Sequence, residues 1–444
     1  MNRLALYLAF LLRFLLASGF PGDAQTPFGL EATVSQKFVI AHFIVGNTYP
    51  YTINDWNQDI VLAASKGIDA FALNVGRDPW QPFRVADAYA AAKSLGSSFK
   101  LFLSFDMSSL PCASLGDATT LRNFMEPYQN HPNQFMYNGK PFVSTFAGES
   151  CRFGAGSLND GWNNALKSGQ PAIYFVPSFF VDPATFPSMP VMDGAFQWNS
   201  AWPMGNYDIN FSPDSSYLSK LGKRSYMAGV SPWFFTHYGP DTYNKNWIYR
   251  GDNWLFAQRW ELLIQNRNSI ALAQIITWND YGESHYIGPI HGAQPNSQSW
   301  VTGFDHQGWL DLLVYYIVAF KTGQYPAISR DRIFLWGRLY PAQATVSSDR
   351  VGRPLNWQWT QDSVWAIVLL KAPGQFTVSC GSSKKSVALS AGLSKLQLPL
   401  LSTCTVTASI FRNNISVVAF NPSGFQFRAD PPTYNFNAFV ASSP

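Results

Sequence analysis

The chain has 444 residues, 47% hydrophobic, 16% aromatic and only 13% charged, with a formal net charge of +4. That length holds one large domain plus a smaller one. A charged share near half the usual ~25%, without basic runs, excludes a disordered or nucleic-acid-binding protein.

The N-terminus "MNRLALYLAFLLRFLLASGFPGDAQ" carries Arg3, then an apolar stretch from Leu4 to Leu16 that Arg13 interrupts. Small residues follow at Ala17, Ser18, Gly19 and Ala24. Too short for a membrane span, it reads as a secretory signal peptide over 1–24. An extracellular, cell-wall-associated monomer is expected, since no later stretch is long and apolar enough to cross a membrane.

From Lys37 to Gly323, short apolar runs alternate with helical patterns. The strands are expected in "KFVIAHFIVG", "IDAFALNVG", "KLFLSFDMS", "KPFVSTFAGE", "AIYFVPSFF", "DGAFQWNSAW", "RSYMAGVSPWFF" and "AQIITWND". Each is apolar over most of its length, as parallel strands covered on both faces are. Between them, the stripe Trp56, Ile60, Ala63 and Ala64 after an N-cap at Asn54 reads as a helix. So do "VADAYAAAKSLG", "TTLRNFMEPYQN" and "WLFAQRWELLIQN", with a weaker helix between Gly154 and Ala172. A closing helix passes through Leu310, Leu313, Val314, Ile317 and Val318. Eight such units predict an α/β fold, a (β/α)8 barrel over 34–330. A doubly wound sheet is disfavoured because no Gly-x-Gly-x-x-Gly follows the first strand. Beyond Arg330, "SVWAIVLL", "FTVSC", "SVALSAG", "CTVTASIF", "ISVVAF" and "FQFRA" predict an all-β sandwich over 331–444, joined by a connecting segment from Ile333 to Pro354.

Four cysteines in a secreted chain pair, and three connectivities are open. Cys112 with Cys151 and Cys380 with Cys404 is preferred, since each bridge then stays inside one domain. No Cys-x-x-Cys or His-Glu-x-x-His suggests a metal site, and no cofactor is expected. Asn210 in "NFS" and Asn414 in "NIS" are glycosylation sequons.

After the last barrel strand comes "ITWNDYGESH". Its Asp280 and Glu283 sit three apart, flanking Gly282, at the end where barrel enzymes gather reactive residues. Cleaving a glycosidic bond needs such a pair of carboxylic groups. The aromatic-rich composition also suits sugar stacking. Trp278, Asn279, Tyr281 and His285 are candidate substrate contacts, with Trp198, Asn74, Asp106 and His42 on other strands. Glu149 ends the fourth strand. Asp69 falls early in its strand, where a salt bridge or backbone cap is the simpler role. Serine chemistry lacks the Gly-x-Ser-x-Gly elbow. By reach alone Glu283 is preferred as general acid and Asp280 as the water activator.

These motifs, with "MDGAFQWNSAWP" and "YMAGVSPWFFTH", resemble the fungal α-1,3-glucanases, or mutanases, of glycoside hydrolase family 71. The resemblance implies endo-cleavage of α-1,3-glucan with inversion and without a cofactor. It maps paired acids onto Asp280 and Glu283, and a further functional aspartate onto Asp69, against the geometric reading of that residue. Rival readings are a lectin-like wall-binding protein and a barrel glycosidase acting on another polysaccharide such as α-mannan.

Overall fold

The computed structural model describes residues 36–168 and 172–444, so the expected signal peptide lies outside the described residues. Each of the eight quoted runs overlaps a strand. They are β1 Phe38–Ile44, β2 Ala70–Val75, β3 Lys100–Asp106, β4 Lys140–Phe146, β5 Tyr174–Ser178, β6 Gly194–Gln197, β7 Ser225–Val230 and β8 Leu272–Ile275. All pair in parallel, in the order β5-β4-β3-β2-β1-β8-β7-β6. The sheet curls along this order. Between β5 and β6, at the ends of that order, the Asp193 amide donates to the Phe175 carbonyl at 2.9 Å.

Alternation along these strands sorts two cores. Ile40, Ala72, Phe102, Val176, Met227 and Leu272 fill the concave side. Val39, Phe71, Leu101, Phe175 and Ala273 face the helices. Both sides are dry, which is why the strands read as continuous apolar runs. Toward the C-terminal ends the inward positions turn polar, with His42, Asn74, Ser104 and Gln274 all buried there.

The helices are α1 Ile53–Ser65, α2 Gln81–Ser94, α3 Leu115–Met125, α4 Leu158–Leu166, α5 Ser212–Leu221, α6 Leu255–Gln265 and α7 Gln307–Thr322. The N-cap of α1 is Thr52 rather than the expected Asn54, because Asp55 reaches back to the Thr52 amide at 2.7 Å and closes a capping box. The passage from β5 to β6 is a 3-10 turn, Pro183–Ser188. Pro187 inside it lacks the amide that a continuing α-helix would need.

Two antiparallel sheets follow. The first contains β9 Arg332–Gly337, β10 Ser363–Leu370, β13 Gly392–Pro399 and β16 Phe439–Ser442, in the order β13-β10-β9-β16. The second contains β11 Gly374–Cys380, β12 Ser383–Leu389, β14 Cys404–Arg412 and β15 Ile415–Phe420, in the order β12-β11-β14-β15. The expected connecting segment is thus corrected at its start, since Ile333 to Gly337 belongs to a central strand. β10 explains the run "SVWAIVLL": Trp365, Ile367 and Leu369 pack toward the helices, while Val364, Ala366 and Val368 pack on the second sheet. Trp254 Nε1 donates to the Ala366 carbonyl at 3.2 Å and Trp336 Nε1 to the Asn253 carbonyl at 2.8 Å. With one sheet buried on both faces, Gln36–Pro444 forms one compact unit.

Both preferred disulfides are present, Cys112–Cys151 and Cys380–Cys404, each with 5.2 Å between Cα atoms. Asn210 and Asn414 are exposed. Among the described residues no helix is long and apolar enough to cross a membrane.

Candidate active site

β8 ends at Ile275, and the chain then turns through a 3-10 helix, Tyr281–Glu283, capped by Asp280. The Asp280 carboxylate accepts from the Glu283 amide at 3.3 Å, so the turn itself sets the spacing of the two acids. Gly282 is required here, because a Cβ would run into the Tyr238 hydroxyl. Both carboxylates remain partly open to solvent, 24% and 19% exposed.

His285 lies beneath the pair. Its Nε2 sits 3.1 Å from Glu283 Oε2 and 4.0 Å from Asp280 Oδ2, and its Nδ1 sits 3.2 Å from Thr277 Oγ1. The Asp280 amide donates to Thr277 Oγ1 at 2.8 Å. Read as a chain of donors, this places the ring proton on Nε2, pointed at Glu283. Trp202 and Phe234 wall the ring at 5.7 and 5.8 Å between centroids. On the open side Lys245 Nζ lies 3.0 Å from Glu283 Oε1.

The two acids are therefore in unequal surroundings. Burial, and then the charge on Glu283, raise the Asp280 carboxyl above the usual range. Burial also opposes ionisation of Glu283, but its bond to His285 and the Lys245 cation outweigh it and hold that carboxyl well below the usual range. One acid favours its proton while its neighbour gives it up, the division of labour that acid–base catalysis exploits. Glu283 in turn raises Lys245. One donor atom each from Asp280, Glu283 and His285 lies within 4.8 Å of the others, a spacing that could admit a cation, although Lys245 already supplies positive charge there.

The acids open into a cleft of about 160 Å³ lined also by Ile44, Asn47, Tyr238, Tyr243, Lys245 and Pro295. Asp106, at the end of β3, is raised by burial and lowered in part by its bonds to Ser108 and by Lys245. His42 points from β1 toward the same centre. Its Nδ1 is 2.9 Å from Gln274 Nε2, and burial, with the neighbouring His285, lowers it to about 3, so it stays neutral. Asn74 is buried, and its Nδ2 has no partner among the described residues. Trp198 meets His42 edge-on at 5.0 Å.

Other candidates lie elsewhere. Trp278 is fully buried and packs on Phe71 at 5.1 Å, on the helix side of the sheet. Asn279 clamps β1, accepting from the Ile44 amide at 2.7 Å and donating to its carbonyl at 3.1 Å. Tyr281 is buried and donates to the carbonyls of Pro289 and His291. Asp69 is at the opposite end of the sheet, accepting from the Val39 amide at 2.7 Å and pairing with Lys321 at 2.6 Å. β2 alone, six residues of about 3.3 Å each, separates that end from the cleft by roughly 20 Å. Sequence reasoning missed Lys245, Tyr238 and Tyr243, which arrive on the hairpin of Phe235–His237 and Asn246–Ile248. No local signal marks them, since a lysine in a polar turn is ordinarily solvated.

The family model for glycosyl hydrolase family 71 matches residues 35–444, the whole compact unit. The chain belongs to glycosyl hydrolase family 71. As a family 71 protein it is a glycoside hydrolase. It is 40% identical to the Schizosaccharomyces pombe glucan endo-1,3-alpha-glucosidase agn1 over 421 residues, 93% of this chain and 96% of that protein. It is 34% identical over 430 residues to a Penicillium rubens mutanase, Pc12g07500, covering 93% and 90% of the two chains. The ascus wall endo-1,3-alpha-glucanase of S. pombe is 33% identical over 437 residues, 92% of this chain and 98% of that one. Among solved structures, a GH99 endo-alpha-mannosidase from Bacteroides thetaiotaomicron matches with a TM-score of 0.48 and 12% identity, over 64% of this chain and 97% of that one.

Proposed function

We propose that this protein is a secreted endo-acting hydrolase of α-1,3-glucan, in which Asp280 is the general acid and Glu283 the ionised partner that activates water. The carrying observation is the unequal environment of two neighbouring acids: His285 and Lys245 both bond Glu283, while among the described residues Asp280 accepts a hydrogen bond only from a backbone amide and meets His285 no nearer than 4.0 Å. This reverses the assignment made from reach alone, because charge, not side-chain length, decides which acid keeps its proton. A lectin has no need of two acids so differently poised. The substrate follows from the relatives, all three named for α-1,3-glucan or mutan cleavage.

In the proposed reaction the cleft holds the glycosidic oxygen near Asp280, which gives it a proton as the bond to the anomeric carbon breaks. Glu283 takes a proton from the attacking water. Lys245 and His285 keep Glu283 ionised and oriented, and Asp106, His42, Asn74 and Trp198 line the sugar's approach. Asp69, Trp278, Asn279 and Tyr281 are assigned structural roles. The architecture is read as a closed (β/α)8 barrel over 34–330 with a β-sandwich over 331–444.

Reducing sugar released from insoluble α-1,3-glucan, and none from β-1,3-glucan or α-mannan, is the expected result. Activity on mannan alone would overturn the substrate. Inversion is the stereochemical reading, so proton NMR of the earliest products is expected to find the β-anomer. Distance alone would favour the covalent route: the acids approach within 4.8 Å at their nearest oxygens, against about 6.5–9.5 Å between carboxyls that hold a water. An initial α-anomer would decide for that route and against Glu283 as base.

A further inference from the structure

A second cavity, of about 320 Å³, is lined by Ser178, Phe180, Gln197, Trp198 and Asn199 among others. Ser178 and Gln197 are the last residues of β5 and β6, so this cavity shares the end of the sheet that carries the acids. Trp198 connects the two. On one side its ring meets His42 at 5.0 Å and His285 at 6.5 Å, and His285 bonds Glu283. On the other it meets Phe146 at 4.8 Å, and Phe146 meets Phe180 at 5.4 Å.

The wall is built rather than incidental. Trp198 and Asn199 sit on a 3-10 turn, Trp198–Ala201, whose Ser200 hydroxyl is bonded by the fully buried Arg259 at 2.9 Å. Arg259 is itself paired with the buried Asp214 at 2.6 Å, so the turn has a rigid support. Phe180 is 40% exposed, and its amide is held by Glu149 Oε2 at 3.3 Å. A large ring kept open at a cavity's edge, beside an amide side chain, offers an apolar face and hydrogen-bonding groups together. That is the chemistry of a pyranose: a C–H face to stack and hydroxyls to bond.

We propose that this cavity is a subsite for a further glucosyl residue of the chain being cut, with Phe180 as its stacking face and Asn199 as a hydroxyl partner. The proposal rests on the α-1,3-glucan reading above. It gives the protein a binding track running from the acids past Trp198 to β5 and β6, longer than one sugar, which an enzyme cutting inside a chain requires.

The test is kcat/KM on a ladder of α-1,3-gluco-oligosaccharides for wild type, Phe180→Ala, Phe180→Leu and Asn199→Ala, with melting temperatures as a fold control. Phe180→Leu keeps the apolar bulk without the ring, so it reports on stacking even if the alanine variant folds poorly. Wild type is expected to gain kcat/KM with chain length. The Phe180 variants are expected to lose about tenfold on the long substrates, which flattens that gain. A wild type active on the ladder, with variants that keep its full length dependence, would overturn the subsite alone. A wild type inert on every α-1,3-linked substrate would overturn the substrate reading, and the subsite with it.

Discussion

Single residues divide here into those that set protonation and those that hold the frame. Lys245 belongs to the first group. It favours the ionised form of both Glu283 and Asp280, so its removal in Lys245→Met raises both carboxyls. Glu283 then protonates at higher pH, moving the acid limb of kcat/KM upward, and Asp280 keeps its proton longer, moving the alkaline limb the same way. A pH–rate profile displaced to higher pH is expected, and one displaced to lower pH would contradict the electrostatics. Asp69 belongs to the second group. Losing its charge in Asp69→Asn weakens a partly exposed ion pair and a backbone bond, a cost of about 1–2 kcal/mol. Thermal unfolding should fall accordingly, with kcat per folded molecule retained; a folded variant without turnover would give Asp69 a role in catalysis. Asp280 and Glu283 stood out as candidates because they are chain neighbours at a strand end. Trp278, Asn279 and Tyr281 share that stretch, yet an irregular turn has no period to tell which side chains face the cleft. Lys245 was illegible because its partner is 38 residues away.

At the level of elements, the hairpin that carries Lys245 is held from outside the sheet. His237 bridges Asn246 Oδ1 at 2.9 Å within the hairpin and Asp349 Oδ2 at 2.8 Å beyond it. Asp349 also accepts from the Thr433 hydroxyl and from the Tyr434 amide at 2.8 Å. Asp349→Ala leaves the buried His237 and two partly buried donors, Thr433 and Tyr434, unmet, at about 1–3 kcal/mol for an unsatisfied buried group. The melting temperature should drop, and kcat/KM should fall with an acid limb shifted upward, as in Lys245→Met. A stability loss with an unmoved pH profile would mean that the hairpin keeps Lys245 in place unaided. The strands themselves were legible from apolar runs bounded by polar turns. β9 was not, since "RIFLWG" overlaps the expected connecting segment, and pairing with β10 and β16 makes it a strand. The 3-10 passage from β5 to β6 also had no helical stripe to find.

Over the whole molecule, the β-rich region is part of the frame. The β9–β10 sheet covers helices with Trp336 and Trp365 on one face and makes a second core on the other. Residues 34–330 expressed alone would expose that apolar contact, so aggregation or a molten product is expected. The full chain should unfold in one transition by calorimetry, and two well-separated transitions would mean that the parts are energetically independent. Composition and period made both regions legible, but not their fusion, because burial of one sheet on two faces depends on which partner each face meets.

In the proposed reaction Asp280 protonates the leaving oxygen while Glu283 activates water. This assignment is tested most directly by comparing Asp280→Asn and Glu283→Gln on α-1,3-glucan and on an α-1,3-linked oligoglucosyl fluoride, whose leaving group needs no proton. Both variants should stay folded and lose about a hundred- to ten-thousand-fold on glucan. On the fluoride Asp280→Asn should recover turnover, and Glu283→Gln should not. Recovery by Glu283→Gln alone would invert the assignment, and a folded variant of either acid keeping half its activity on glucan would contradict the two-carboxylate account.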